Sequence, residues 1–248
     1  MISILIIGNE ILSANVEDTN LRHMLGRLNL AGYTIDEARI VPDEVPVLAD
    51  AIRALSKRSQ YVISTGGVGP THDDVTFQAY ALAFDTTLEL HPQLAQGIHG
   101  FYGGQAPESA LRMARVPAIT ELVTMPGSKW PIIKVANCFV LPGLPEIFVK
   151  KFAAVVDWLP AVPDRFFGEI FTRSPEVDFA DTLTALQERF PRVELGSYPT
   201  FDHAEFAARV TFKSQDNGAV LKVFEEMLAH FRQRGTLVRY SDPVKISQ

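Results

Sequence analysis

The chain has 248 residues, of which 47% are hydrophobic and 21% charged, with a formal net charge of −6. That length suits one large or two small domains, the acidic balance argues against a nucleic-acid partner, and no run reaches the roughly 20 apolar residues a membrane span needs. A single cysteine, Cys138, excludes an internal disulfide and fits a reducing, cytoplasmic setting; it lies in an apolar run and reads as an inert core thiol.

Residues 2–7 form an unbroken apolar run, as expected of a parallel strand covered on both faces. The run ends in Gly8-Asn9-Glu10, a carboxylate beside a glycine at a strand's C-terminal end, where open α/β sheets place ligands. Asp18 is set to cap a helix whose Leu21, Met24, Leu25 and Leu28 share one face, and Gly32 to end it. A second strand is predicted over 33–41, then a helix capped by Asp43 with the buried stripe Val47, Leu48, Ala51, Ile52 and Leu55. A third strand follows over 61–64.

The next stretch, Thr65-Gly66-Gly67-Val68-Gly69-Pro70-Thr71-His72-Asp73-Asp74-Val75-Thr76, joins that strand to a helix. Glycines admit positive φ and close approach of a ligand to the backbone, and a helix start offers N–H groups to phosphate. Asp73 and Asp74 would repel a phosphate unless a hard cation lies between. The residues therefore point to a phosphate-plus-metal site. Asp73, Asp74 and Glu10 would be metal ligands and catalytic groups, and Thr71 and Thr76 donors to phosphate. A bare glycine turn, with Asp74 as helix cap, is the alternative.

Residues 88–116 read as mainly helical, with Arg112 and Arg115 on one helix face. Short strands are expected over 121–124, 132–135 and 139–141. The sequence Leu141-Pro142-Gly143-Leu144-Pro145-Glu146 makes a second strand-to-helix turn, with Pro145 and Glu146 suited to the first helical turn. Ile147, Phe148, Phe152, Val155, Val156 and Leu159 bury the helix that follows. Two prolines in 160–163 suit a linker, dividing the chain into domains at 1–160 and 164–248. After the linker the order β-α-β-β-α-β predicts a ferredoxin-like α+β unit. Gly196-Ser197-Tyr198-Pro199 reads as a turn, or as a loop reaching over the first domain's site.

Taken together, Gly8-Asn9-Glu10-Ile11-Leu12, Asp18-Thr19-Asn20, the glycine stretch and Leu141-Pro142-Gly143-Leu144-Pro145-Glu146 resemble the molybdopterin-binding-like domain of the competence/damage-inducible protein A family. Thr71-His72-Asp73-Asp74-Val75-Thr76-Phe77 and Arg112-Met113-Ala114-Arg115-Val116-Pro117 resemble the N-terminal domain of eukaryotic FAD synthase. The resemblance implies a three-layer, mostly parallel α/β fold, as in molybdopterin adenylyltransferases, and a homo-oligomer, dimer or trimer. It implies metal-dependent cleavage of a dinucleotide-type diphosphate (ADP-ribose or FAD class) to a nucleoside monophosphate. The cofactor would be a divalent cation such as Mg²⁺, optionally with K⁺. Binding of a pterin or nucleotide without hydrolysis, and adenylyl transfer to molybdopterin, are the alternatives. On this resemblance Gly8, Asn9, Thr65, Gly66, Gly67, Gly69, Pro70, Thr71, Thr76, Pro142, Gly143 and Glu146 would contact the nucleotide or its phosphates. Asp43 and Glu146 are further candidates for a base. Neither an amidase unit nor an FMN adenylyltransferase domain is present, so neither of those activities is expected. Val41-Pro42-Asp43-Glu44 and the segment 125–130 depart from the family pattern.

Overall fold

The computed structural model describes residues 1–125, 130–201 and 205–246; most of the segment 125–130, which departs from the family pattern, lies outside them. In chain order the first part comprises β1 (Ile2–Ile7), α1 (Asn9–Leu12), α2 (Asn20–Leu30), β2 (Ile35–Val41), α3 (Val45–Arg58), β3 (Tyr61–Thr65), α4 (Thr76–Ala83), β4 (Leu88–Leu90), α5 (Pro92–Phe101), α6 (Glu108–Leu111), β5 (Arg115–Pro117), β6 (Thr120–Val123), β7 (Ile132–Val135), β8 (Cys138–Leu141) and α7 (Pro145–Trp158). Six strands form one sheet in the order β2-β1-β3-β8-β7-β6. The first four are mutually parallel, and β7 and β6 run antiparallel at one edge.

Side chains alternate across each strand, so the sheet has two buried faces. Leu5, Ile7, Val62 and Val140 pack with Leu48, Ile52 and Leu55 of α3, Phe77 and Tyr80 of α4, and Leu94 and Ile98 of α5. On the other face Trp158 of α7 meets the Phe139 ring at 5.1 Å, and His23 of α2 meets the Phe152 ring at 5.8 Å. The result is helix, sheet, helix. Burying both faces is why β1, β3 and β8 are mostly apolar, with Ser3, Ser64 and Thr65 the buried polar residues among them.

The second part comprises β9 (Arg165–Thr172), α8 (Ala180–Arg189), β10 (Glu194–Pro199), β11 (Ala208–Ser214), α9 (Asn217–Gln233) and β12 (Leu237–Ile246). Its sheet is antiparallel in the order β10-β11-β9-β12, the ferredoxin-like arrangement. Phe179, Leu186, Val210, Phe212, Phe224 and Phe231 belong to its own core. The pairing of β12 with β9 slips twice, once between Ser241 and Val244. There the Pro243 ring lies over Gly168, where a Cβ would come within 2.9 Å of it. Contacts divide the chain into Met1–Asn29 with Tyr33–Pro160, and Leu30–Gly32 with Ala161–Gln248. Among the described residues no helix is long and apolar enough to cross a membrane.

Several expectations need correction. Residues 88–116 are mainly helical as expected, through α5, α6 and a 3₁₀ turn, but β4 and β5 pair from the two ends of that stretch, each too short, at three residues, to show a period of two. Arg112 and Arg115 share no helix face: Arg112 begins a turn of 3₁₀ helix and Arg115 begins β5. Val47 and Ile147 are 42% and 44% exposed rather than buried. Gly196 to Pro199 is neither turn nor loop but part of β10, paired with β11. β10 is an edge strand, which tolerates proline because one side of its backbone needs no ladder partner.

Candidate functional site

The C-terminal ends of β1, β3 and β8 meet at one place, and each is followed by a loop fixed to the next. Gly66 N–H donates to Leu141 O (3.2 Å), and the Thr65 hydroxyl donates to Pro142 O (2.8 Å). Asn20, at the start of α2 and 5% exposed, sends its amide to Gly143 O (2.8 Å) and Thr65 Oγ1 (3.3 Å). One buried side chain thus ties the glycine loop to the second loop. On the far side, Thr76 Oγ1 donates to Gly66 O (2.9 Å) and Thr76 N–H to Gly67 O (3.1 Å). Thr65 and Thr76 are therefore occupied in holding the loops, and neither hydroxyl is spare to donate elsewhere.

Gly66 and Gly67 have φ of 110° and 61°, conformations that strain other residues. At Gly66 a Cβ would also lie 2.0 Å from Ile7 O. The loop passes so close over β1 that only glycine fits.

The carboxylates divide by task. Asp74 braces the loop: Oδ1 accepts from Gly69 N–H (2.7 Å), and Oδ2 accepts from Thr71 N–H (2.8 Å) and the Thr71 hydroxyl. It caps no helix, since α4 starts after Val75. Asp73 is exposed beside it, near His72. Asp43 does not cap α3, whose cap position is Glu44. Its Oδ2 instead accepts from Asn9 N–H (2.8 Å), and its Oδ1 lies where a Cβ on Gly67 would touch it, at 3.2 Å. The Asp43 pKa is raised by burial first, and then by the charges of Glu10, Asp73 and Asp74, against the lowering effect of the Asn9 bond. Asp43 is thus the centre on which the other three acids act. In the sequence Asp43 reads as a cap and as a further candidate for a base, two residues after β2.

Two cavities adjoin these loops. A small one of about 90 Å³ is lined by Glu10, Asp18, Asn20, Thr65, Gly66 and Gly143, among others. A larger one of about 820 Å³ is mainly apolar and is lined by Val68, Phe77, Met113, Trp130, Pro142 and Glu146, with Lys150 and Lys151. Glu10 and Glu146 therefore face different cavities, and Asp73 lines neither. Gly8 and Asn9 sit beside Asp43 through the Asn9 bond, and Pro70 O accepts from Arg112 Nη1 (3.4 Å). Among the described residues no three His, Cys, Asp or Glu side chains are grouped to hold a metal ion. Hard cations of the Mg²⁺ kind need fewer protein ligands. Such ions commonly take one or two carboxylates and complete their shell with water and the phosphate oxygens of a ligand, and Asp43 stands among like charges that a cation would relieve.

The large cavity is not legible in the sequence; Asn20 stands only in the Asp18-Thr19-Asn20 motif of the resemblance, and Asp43 reads as a cap and as a further candidate for a base. The cavity is assembled from α4, α5, α7, β7 and β8, which are far apart in sequence.

Residues 3–161 match the family described as probable molybdopterin binding domain, and residues 165–240 match the FAD synthase middle domain. The chain is 28% identical over 257 aligned residues to a probable FAD synthase of Caenorhabditis elegans, covering 92% of this chain and 50% of that one. It is 36% identical over 172 residues to a CinA-like protein of Geobacter sp. strain M21, covering 66% of this chain and 41% of the relative. The chain thus spans about half the length of these curated relatives. Among solved structures, a CinA protein of unknown function from Thermoplasma acidophilum aligns with a TM-score of 0.58 at 27% identity, over 63% of this chain and 95% of that one.

Proposed function

The chain belongs to the molybdopterin-binding domain family, continued by a FAD synthase middle domain, and on that premise we propose that it binds a nucleotide or pterin diphosphate at the 66–71 loop and cleaves it with the help of a divalent cation. The observation that carries this reading is the meeting of a positive-φ glycine turn with the Asp43 carboxylate, on which Glu10, Asp73 and Asp74 all act.

In this reading Asp43 and Glu10 would hold the cation, with Asp73 reaching in from the loop. The bound ion would neutralise phosphate oxygens and make a coordinated water acidic enough to attack phosphorus. The chain's own contribution is position. Asp74 keeps the loop N–H groups in place through Gly69 and Thr71, and Asn20, Thr65 and Thr76 hold the loop against β8 and α4. With the cation bound, Asp43 would serve as its ligand, oriented by the bond that its Oδ2 accepts from Asn9 N–H.

The test is incubation of pure protein with ADP-ribose, FAD or ATP and Mg²⁺, Mn²⁺ or Co²⁺, with chromatography for nucleoside monophosphate. Product that depends on both the metal and Asp43 supports cleavage. A second reading is binding without hydrolysis. The observation favouring it is that Asp74, one of the four acids, is already committed to three hydrogen bonds. Saturable binding with no product in any metal would establish it. Light scattering would test for the proposed dimer or trimer.

A further inference from the structure

The large cavity has more space and more aromatic wall than a diphosphate can use. We propose that it seats a planar nitrogen heterocycle carried by the diphosphate, with the indole of Trp130 as the surface on which that ring stacks. This rests on the diphosphate reading above.

Continuity with the loop comes first. Val68 lies between Gly67 and Gly69, and Pro142 is the carbonyl partner of Thr65; both line the cavity. A group attached to a diphosphate at the glycine turn has this cavity beside it. Its volume, about 820 Å³, falls in the range of small-molecule sites, and its lining is mainly apolar with few polar groups.

The wall is built to hold an aromatic ring. Trp130 lies against α5 at Gly97, where an added Cβ would come within 3.3 Å of the indole. The absence of a side chain at Gly97 makes a flat bed on the helix. Phe101 meets the indole edge-on, at 6.5 Å and 63°. Lys151 Nζ donates to Pro131 O (2.6 Å) and Trp130 O (3.5 Å), fixing the backbone that carries the ring. Trp130 remains 36% exposed, so the side chain keeps accessible surface. Glu146, in the first turn of α7 and on the cavity wall, offers an acceptor for the N–H edge that adenine, pterin and flavin rings all present.

The experiment is calorimetric titration of wild type, Trp130→Ala and Gly97→Leu with pyrophosphate, ADP-ribose and FAD, each in Ca²⁺, with thermal melts to confirm folding. Stacking of a base on an aromatic side chain predicts a loss of about tenfold or more in affinity for the ring-bearing ligands in both variants. Pyrophosphate affinity should not change. Loss for ADP-ribose and FAD alike assigns the cavity to adenine, and loss for FAD alone assigns it to the flavin ring. Undiminished FAD affinity in both folded variants overturns the ring seat while leaving the diphosphate reading intact. Failure of wild type to bind pyrophosphate, ADP-ribose or FAD overturns both.

Discussion

At the scale of single residues, the four acids around the glycine loop behave differently from their sequence spacing. Asp73 and Asp74 are adjacent and read as a matched pair, yet Asp74 is a brace and Asp43, some thirty residues earlier, is the electrostatic centre. Asp74→Ala removes three hydrogen bonds and should lower stability by about 1–3 kcal/mol. Its effect on turnover should fall mainly on KM, because the loop loses its shape. A collapse of kcat with KM unchanged would make Asp74 a metal ligand after all. Asp43→Asn keeps an acceptor for Asn9 N–H and removes the charge, so it should abolish metal-dependent turnover without unfolding the chain. The sign of its pH effect follows from linkage. Because the folded-state pKa of Asp43 is raised, the carboxyl favours folding at low pH, and that contribution is lost as the pH rises from its ordinary value near 3.8 through the raised one. Asp43→Asn should therefore melt slightly above wild type at pH 7 and show no such advantage at pH 3. Divalent cation should close the gap at pH 7 by stabilising wild type alone, which scanning calorimetry would show.

Between elements, the closeness of the β3–α4 loop to β1 sets the tightest constraint. Gly66→Ala places a Cβ against Ile7 O at positive φ, and the combined strain and overpacking should lower stability by roughly 3 kcal/mol or more, measured by urea unfolding. Lys151 of α7 gives a second test. Its ammonium is largely buried, which pushes its pKa down to about 8. The unfolded chain holds that proton more tightly, so folding is penalised below about pH 8 and the penalty lifts as the pH climbs toward 10.5. Wild type should gain stability relative to Lys151→Met across that window, and the ε-amine of Lys151 should titrate near pH 8 in NMR of the methylated protein. The elements themselves were largely legible. The apolar run of β1, the stripe of α3 and the turn before α7 follow from pattern alone, because buried parallel strands and amphipathic helices leave strong periodic signals. β4 and β5 left none, being three residues each. β10 is expected within the β-α-β-β-α-β order, but its end is obscured by Gly196 and Pro199, residues that usually mark turns.

For the molecule as a whole, the change from a mixed sheet order to an antiparallel one coincides with Ala161, next to the two prolines that suggested a linker. Each part has its own sheet, and the second has a core of its own residues. A chain ending at Pro160 retains all the acids, both loops and the lining of both cavities. It should bind diphosphate ligands with affinity within about threefold of the full chain, a difference of well under 1.4 kcal/mol. A much larger loss by calorimetry would show that residues 161–248 complete the site. What the sequence could not convey at this scale is the cavity, since its volume depends on how five elements pack rather than on any one of them.

The doubled slip along β12 carries one more implication. A ten-residue strand at the border of a sheet is an open template for stacking by other chains. Here the Pro243 ring sits over Gly168 and, having no N–H, offers an incoming strand no hydrogen there. The pleat is also broken on either side of Tyr240. Both features discourage growth of fibrils from this border.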